Sequence, residues 1–179
     1  MAPAPRSLLT VGHGALDKDA LSSLLRAADV EALVDIRRYP NSRHNPDVET
    51  GAIQTWARAA HIDYRWEERL GGRRRLSTGT EREDAWWRVP QFAAYAVYTR
   101  TEGFGAALEE LLAQADRQRT AIMCSEAVWW RCHRRLVADV AVLRCGVAVS
   151  HLMHDGRLVP HPPAEGARVA ADGEVYWIG

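Results

Sequence analysis

Thr120-Ala-Ile-Met-Cys124, running into Ser125-Glu-Ala-Val-Trp-Trp-Arg-Cys-His-Arg-Arg135, decides the fold. The first five residues lack polar alternation, the pattern of a strand covered on both faces. A polar loop follows, and then a helix predicted to run to about Cys145. Strand, polar loop and helix in that order form half of a parallel βαβ unit.

The same unit recurs on both sides. Ser7 to Gly12 reads as a buried strand, followed by His13 and Gly14. Asp17 can cap a helix that keeps Leu21, Leu24, Leu25 and Ala28 on one face. Ala32 to Ile36 is a second strand emptying into the polar loop Arg37 to Pro46. Thr50 begins a helix through Ala60, and Ile62 to Trp66 is a third strand. Glu67 to Val89 has no period and is expected to be a long surface loop. Helices follow over Pro90 to Arg100 and Phe104 to Ala115. Gly146 ends the last helix and Val147 to Leu152 is a fifth strand. Asp155-Gly156 and Asp172-Gly173 are hairpin turns between strand-like residues. The prediction is a single α/β domain over residues 1–179, with a mainly parallel sheet flanked by helices and C-terminal hairpin strands.

Composition narrows the setting. Of 179 residues, 47% are hydrophobic and 26% charged, ordinary for a globular domain. No apolar run approaches the roughly 18 residues of a membrane span, and the first residues lack the apolar core of a signal peptide. A cytoplasmic protein without a membrane partner is expected; nothing in the sequence specifies an oligomeric state. The three cysteines, Cys124, Cys132 and Cys145, are an odd number and argue against a disulfide framework.

Acids and bases balance at 23 each, which weighs against a purely electrostatic nucleic-acid binder. Lys18 is the only lysine, however, and the arginines gather in groups: Arg37, Arg38 and Arg43; Arg73, Arg74 and Arg75; Arg131, Arg134 and Arg135. The planar guanidinium suits phosphate and carboxylate and stays charged, so a locally basic cleft is expected.

Ligands of open α/β sheets sit beyond the carboxyl ends of the strands. Three segments put polar residues there: Gly12-His13, Asp35 to Arg43, and Cys124 to Arg135. Cys124, before a helix and near arginines, is a candidate thiolate nucleophile, or else a small buried residue closing a strand. Glu126 is a candidate general acid/base or carboxylate nucleophile, or a helix cap. His133 and His13 are candidate assisting groups, each with a structural alternative. Arg37, Arg43, Arg131, Arg134 and Asp35 are candidate substrate-binding residues, Asp35 as the acid that orients His13 or an arginine, or else as part of a purely structural network. Cys132 is expected on the core face of its helix, and Arg135 in an ion pair with Asp139 four residues on. Cys-x7-Cys-His lacks the short paired spacings of zinc sites, so neither metal nor cofactor is expected.

Thr10-Val-Gly-His13, Leu33-Val-Asp-Ile-Arg37 with Pro40, Ser42, Arg43, Asn45 and Pro46, Leu70-Gly-Gly72, and Cys124-x-Glu126 followed by Arg131-Cys-His-Arg134 together resemble the bacterial and archaeal domain of unknown function 488 family. The resemblance implies an α/β fold with one shared polar site and names no reaction. Ser77 to Trp87 and Trp129-Trp130 depart from it. A fainter likeness links Cys124-x6-Arg131 and Leu33 to Arg37 to cysteine-based phosphatases and rhodanese-type sulfurtransferases, but the loop lacks their glycines.

Three functions are consistent with these residues. The first is an enzyme acting on a phosphate-bearing small molecule or nucleic acid, with Trp66, Trp86, Trp87, Trp129 and Trp130 as candidate stacking groups. The second is a cysteine-dependent phosphatase, transferase or redox enzyme. The third is a non-catalytic nucleotide or nucleic-acid binding module.

Overall fold

Successive residues of the central strands enter two different cores, which is why these strands read as unbroken apolar runs. Leu9, Val11, Leu33, Ala121 and Met123 pack on one side with Leu21, Leu25 and Ile53. Leu8, Val34, Ile36, Ile122 and Cys124 pack on the other with Tyr95, Phe104, Leu111, Leu136 and Val140. Each large apolar side chain contributes about 1.5–3 kcal/mol by leaving water.

The computed structural model describes residues 6–76 and 83–179. In chain order its elements are β1 (Ser7–Gly12), α1 (Lys18–Ala27), β2 (Ala32–Asp35), α2 (Thr50–Ala59), β3 (Asp63–Trp66), α3 (Pro90–Tyr98) and α4 (Glu102–Ala115). They continue with β4 (Thr120–Cys124), α5 (Arg134–Leu143), β5 (Ala148–Leu152), β6 (Leu158–Pro160), β7 (Ala167–Val169) and β8 (Val175–Trp177). The sheet order is β3-β2-β4-β1-β5-β6. All neighbours are parallel except β5 and β6, and β7 pairs with β8 in a separate antiparallel hairpin. The fold is therefore α/β with a mainly parallel sheet, α1 and α2 on one face and α3 to α5 on the other. No helix among the described residues is long and apolar enough to cross a membrane.

Local chemistry explains the ends. Asp17 Oδ1 accepts from the Ala20 N–H at 2.8 Å and starts α1. Gly146, at φ +64°, takes the left-handed turn that carries the chain from α5 into β5. Asp155-Gly156 joins β5 to β6, and Asp172-Gly173 joins β7 to β8.

Three expectations need correction. The last helix stops at Leu143 and begins only at Arg134. Cys132 therefore precedes the helix, closing a short 3₁₀ turn over Trp129–Arg131; it is buried in the core with Leu136 and Val140 as expected, but not through helical spacing. The described parts of Glu67 to Val89 are irregular but do not lie on the surface throughout, since Leu70, Gly71, Gly72, Asp84 and Trp87 are buried. The Tyr95 and Tyr98 hydroxyls donate to the Leu70 and Arg69 carbonyls at 2.6 Å each, and buried Asp84 binds Arg100 at 2.7 Å. Residues 77–82 of that segment, most of the divergent stretch starting at Ser77, lie outside the described residues.

The register brings Gly12 beside Cys124, and Asp35 beside Met123. The carboxyl ends of β1, β4 and β2 are thus adjacent and form one rim.

Candidate functional site

The ladder continues past the strands into the loops. The His13 and Gly14 amides donate to the Cys124 and Ser125 carbonyls at 2.9 Å each. Gly12 has to be glycine here, since a Cβ would strike the Glu126 carbonyl. Arg134, 2% exposed, donates to the Glu126 and Ala127 carbonyls and clamps the same loop from beneath. The backbone that carries Glu126 is thereby fixed against the end of β1.

A cavity of about 530 Å³ opens at this rim. His13, Arg37, Cys124, Glu126, Arg131 and His133 all line it. Asp35, Arg43 and Arg134 do not. Asp35 is fully buried, binding Arg37 through both oxygens at 2.9 and 2.6 Å and accepting from the Tyr64 hydroxyl at 2.7 Å. Its contacts fit both the orienting of an arginine and a structural network, and none reaches His13. Arg43 is exposed on the loop after β2. Arg134 spends its guanidinium on backbone carbonyls. Sequence reasoning assigns all three to substrate because side-chain type alone does not say which way an arginine or a carboxylate faces.

Arg37 has little more freedom than Asp35. At 4% exposure it also donates to the Val48 carbonyl at 2.7 Å. Its Nη1 lies 3.4 Å from His13 Nε2, while His13 Nδ1 lies 2.9 Å from the Gly14 carbonyl. The two contacts place the proton on Nδ1 and leave Nε2 as acceptor. Burial, reinforced by the Arg37 charge and opposed by the Gly14 bond, lowers the His13 pKa and keeps the ring neutral.

The cations without acidic partners are others. Arg38, Arg73 and Arg131 line the cavity, and none forms an ion pair among the described residues. Arg38 donates to the Arg73 carbonyl at 3.0 Å, and both guanidinium groups lie over the Tyr39 ring. Sequence reasoning does not single out Arg38 and Arg73 as ligands, although Leu70-Gly-Gly72 holds the signal. A Cβ on Gly71 would come 2.8 Å from Arg38, and one on Gly72 would come 2.9 Å from His133 Nδ1. The glycine pair lets this strip of chain lie against the rim and present Arg73. None of the five candidate stacking tryptophans lines the cavity; its exposed aromatic is Tyr39.

At the floor, His133 Nδ1 lies 3.7 Å from Cys124 Sγ and 3.7 Å from Cys132 Sγ. Tyr95 packs edge-on against the imidazole at 4.9 Å. The hydrogen bond with Cys132, followed by burial, holds the Cys124 thiol above its ordinary range. For Cys132, burial pulls upward too but is outweighed by the bond from Cys124 and by His133 and Arg134. The two thiols therefore titrate as a pair beside His133 and Arg134, whichever sulfur carries the charge. Helical spacing hides Cys132 because it extends α5 back over a residue that precedes it.

A second polar chain escapes sequence reasoning. Thr10 Oγ1 meets His151 Nδ1 at 2.6 Å, His151 Nε2 meets His161 Nδ1 at 2.9 Å, and His161 Nε2 meets Asp139 at 2.6 Å. Trp177 Nε1 donates to the other Asp139 oxygen at 2.7 Å. Every bond is satisfied with neutral rings if Thr10 donates to His151, His151 to His161 and His161 to Asp139. Asp139 is therefore not the partner of Arg135, which lies over the Trp87 ring at 4.8 Å. Nothing in the local spacing of residues from four separate elements could have announced this chain.

No curated protein and no solved structure matches the chain. One family model does, over residues 17–141, a stretch that includes Cys124, Glu126, Arg131, Cys132 and His133 and begins just after His13. The chain belongs to that family, described as the domain of unknown function DUF488.

Proposed function

We propose that this cavity is the active site of a cytoplasmic enzyme acting on a phosphate-bearing substrate, a nucleotide or a nucleic-acid end. The observation that carries the reading is the set of three arginines without ion pairs among the described residues, Arg38, Arg73 and Arg131, around a floor of two cysteines and a histidine. A cavity wall holding three cations against the single carboxylate of Glu126 favours an anion, and guanidinium forks match phosphate oxygens. Tyr39, 60% exposed beside them, offers a face for a base. Three unbridged cysteines suit a reducing compartment.

Glu126 is exposed on the cavity and free of ion pairs among the described residues, which suits it to move a proton in hydrolysis or group transfer. His13, neutral and buried, suits the role of a fixed hydrogen-bonding group beside it. A phosphatase-type mechanism is less well supported. Such a loop must aim its amides at the anion, whereas the Arg131 and Cys132 amides donate to the Val128 and Trp129 carbonyls at 3.3 and 3.1 Å. The reading is tested by titrating the protein with inorganic phosphate, a nucleoside triphosphate and a short single-stranded oligonucleotide. Binding that weakens in Arg131→Ala supports it; no binding at low salt refutes it.

A further inference from the structure

The floor of the cavity is more than a pair of thiols beside an imidazole. Sγ of Cys124, Sγ of Cys132 and Nδ1 of His133 all lie within 4.8 Å of one another. The nitrogen stands 3.7 Å from each sulfur. One imidazole nitrogen has a single proton or a single lone pair, so it cannot bond both sulfurs well. A cation between the three atoms meets all of them. Tetrahedral zinc, with bonds of about 2.3 Å to sulfur and about 2.0 Å to nitrogen, sets its ligand atoms about 3.5–3.8 Å apart. The two sulfur–nitrogen separations fall in that range, and the two sulfurs lie within 4.8 Å of each other.

The surroundings agree. Both cysteines are buried, at 9% and 4% exposure, where a bare thiolate pair is costly and a divalent ion would cancel its charge. The ring is held in place by Tyr95, packed edge-on at 4.9 Å, and by Gly72 against Nδ1. Its Nε2 is buried and has no protein partner among the described residues, so packing rather than a second hydrogen bond sets its orientation. Two thiolates and an imidazole form a soft donor set that selects zinc over magnesium or calcium.

We propose that Cys124, Cys132 and His133 form a three-ligand site for a zinc-class divalent ion whose fourth position opens on the arginine-lined cavity. Three protein ligands and one open position are the arrangement of catalytic rather than structural zinc. The ion would stand in the same cavity as Glu126, two residues beyond Cys124, and would supply a Lewis acid to the substrate. This inference rests on the proposed active site and assigns its chemistry.

The test uses the full chain, stripped of metal by a chelator and kept reduced. Titration with Co²⁺ is expected to give a thiolate-to-cobalt charge-transfer band that saturates at one equivalent and is bleached by Zn²⁺. Cys132→Ser and His133→Asn should lose the band, and Cys145→Ser should keep it. If either ligand variant fails to fold, the wild type still decides through alkylation: Zn²⁺ should shield Cys124 and Cys132 from iodoacetamide and leave Cys145 labelled as before. No band in the wild type, a band that survives Cys132→Ser, or Zn²⁺ without effect on alkylation would overturn the site. Nucleotide binding without the band defeats the metal site alone. The band without any anion binding defeats the phosphate reading and leaves the metal site standing.

Discussion

Gly72 lies so close to His133 that a Cβ on the glycine would stand 2.9 Å from the imidazole Nδ1. This contact couples a strip of chain with no regular structure to the floor of the cavity. Gly72→Ala must displace the ring, against which Tyr95 also packs, and so disturb its contacts with Cys124 and Cys132. The expected cost is about 1–3 kcal/mol in denaturant unfolding, as for other overpacked sites. Gly51, at the start of α2 with nothing within 4 Å of a built Cβ, is the control. Gly51→Ala should be neutral or stabilise by up to about 1 kcal/mol. Equal losses in both variants would deny Gly72 its role.

Two arginines on the same cavity should behave in opposite ways. Arg37 neutralises fully buried Asp35, so Arg37→Ala leaves a carboxylate unpaired in the interior. It should cost about 3–5 kcal/mol of stability. Arg131 is exposed and unpaired among the described residues, and Arg131→Ala should stay within about 0.5 kcal/mol of wild type. A mild Arg37→Ala would mean that the Asp35 network does not hold the rim together.

The buried histidine chain predicts a pH dependence of stability. Burial, then His161 and the charge of Arg134, lower His151 to about 3 from an ordinary 6.5. Protons therefore bind the unfolded state first as pH falls below 6.5, and the folded state loses stability on that side. Between pH 7 and 5, above most carboxylate titration, the His151 contribution to the loss is about 2 kcal/mol. His151→Gln should flatten the slope by that amount, whatever its absolute stability. An unchanged slope would show that His151 is not held neutral in the fold.

Periodicity and strand ends reveal much of this without coordinates. The unbroken apolar runs at Ser7 to Gly12, Ala32 to Asp35 and Thr120 to Cys124 are a direct imprint of burial on both faces, so strand identity and the parallel sheet are legible. The rim follows from them, because parallel strands send His13, Arg37 and Cys124 to the same side. What stays hidden depends on side-chain direction and on irregular backbone. Cys132 escapes because a short 3₁₀ turn with no sequence period delays the start of α5. Arg134 has the chemistry of a ligand and is a clamp, since position at a strand end does not say whether a guanidinium turns outward or beneath. Arg38 and Arg73 become visible only once Gly71 and Gly72 are seen to let two chain segments touch. The link from Thr10 through His151 and His161 to Asp139 joins positions far apart in sequence, beyond the reach of any local pattern.

Calorimetric titration with a nucleoside triphosphate at low and high salt shows whether Arg38, Arg73 and Arg131 hold the phosphate of the substrate. Wild type should bind one equivalent, with affinity falling as salt rises. Saturation at about 100 times the dissociation constant should add about 2.7 kcal/mol to stability. The Arg38→Ala, Arg73→Ala, Arg131→Ala triple variant should fold and bind at least tenfold more weakly. Undiminished binding in a folded triple variant, or no binding by wild type at low salt, would mean that these arginines hold no substrate phosphate.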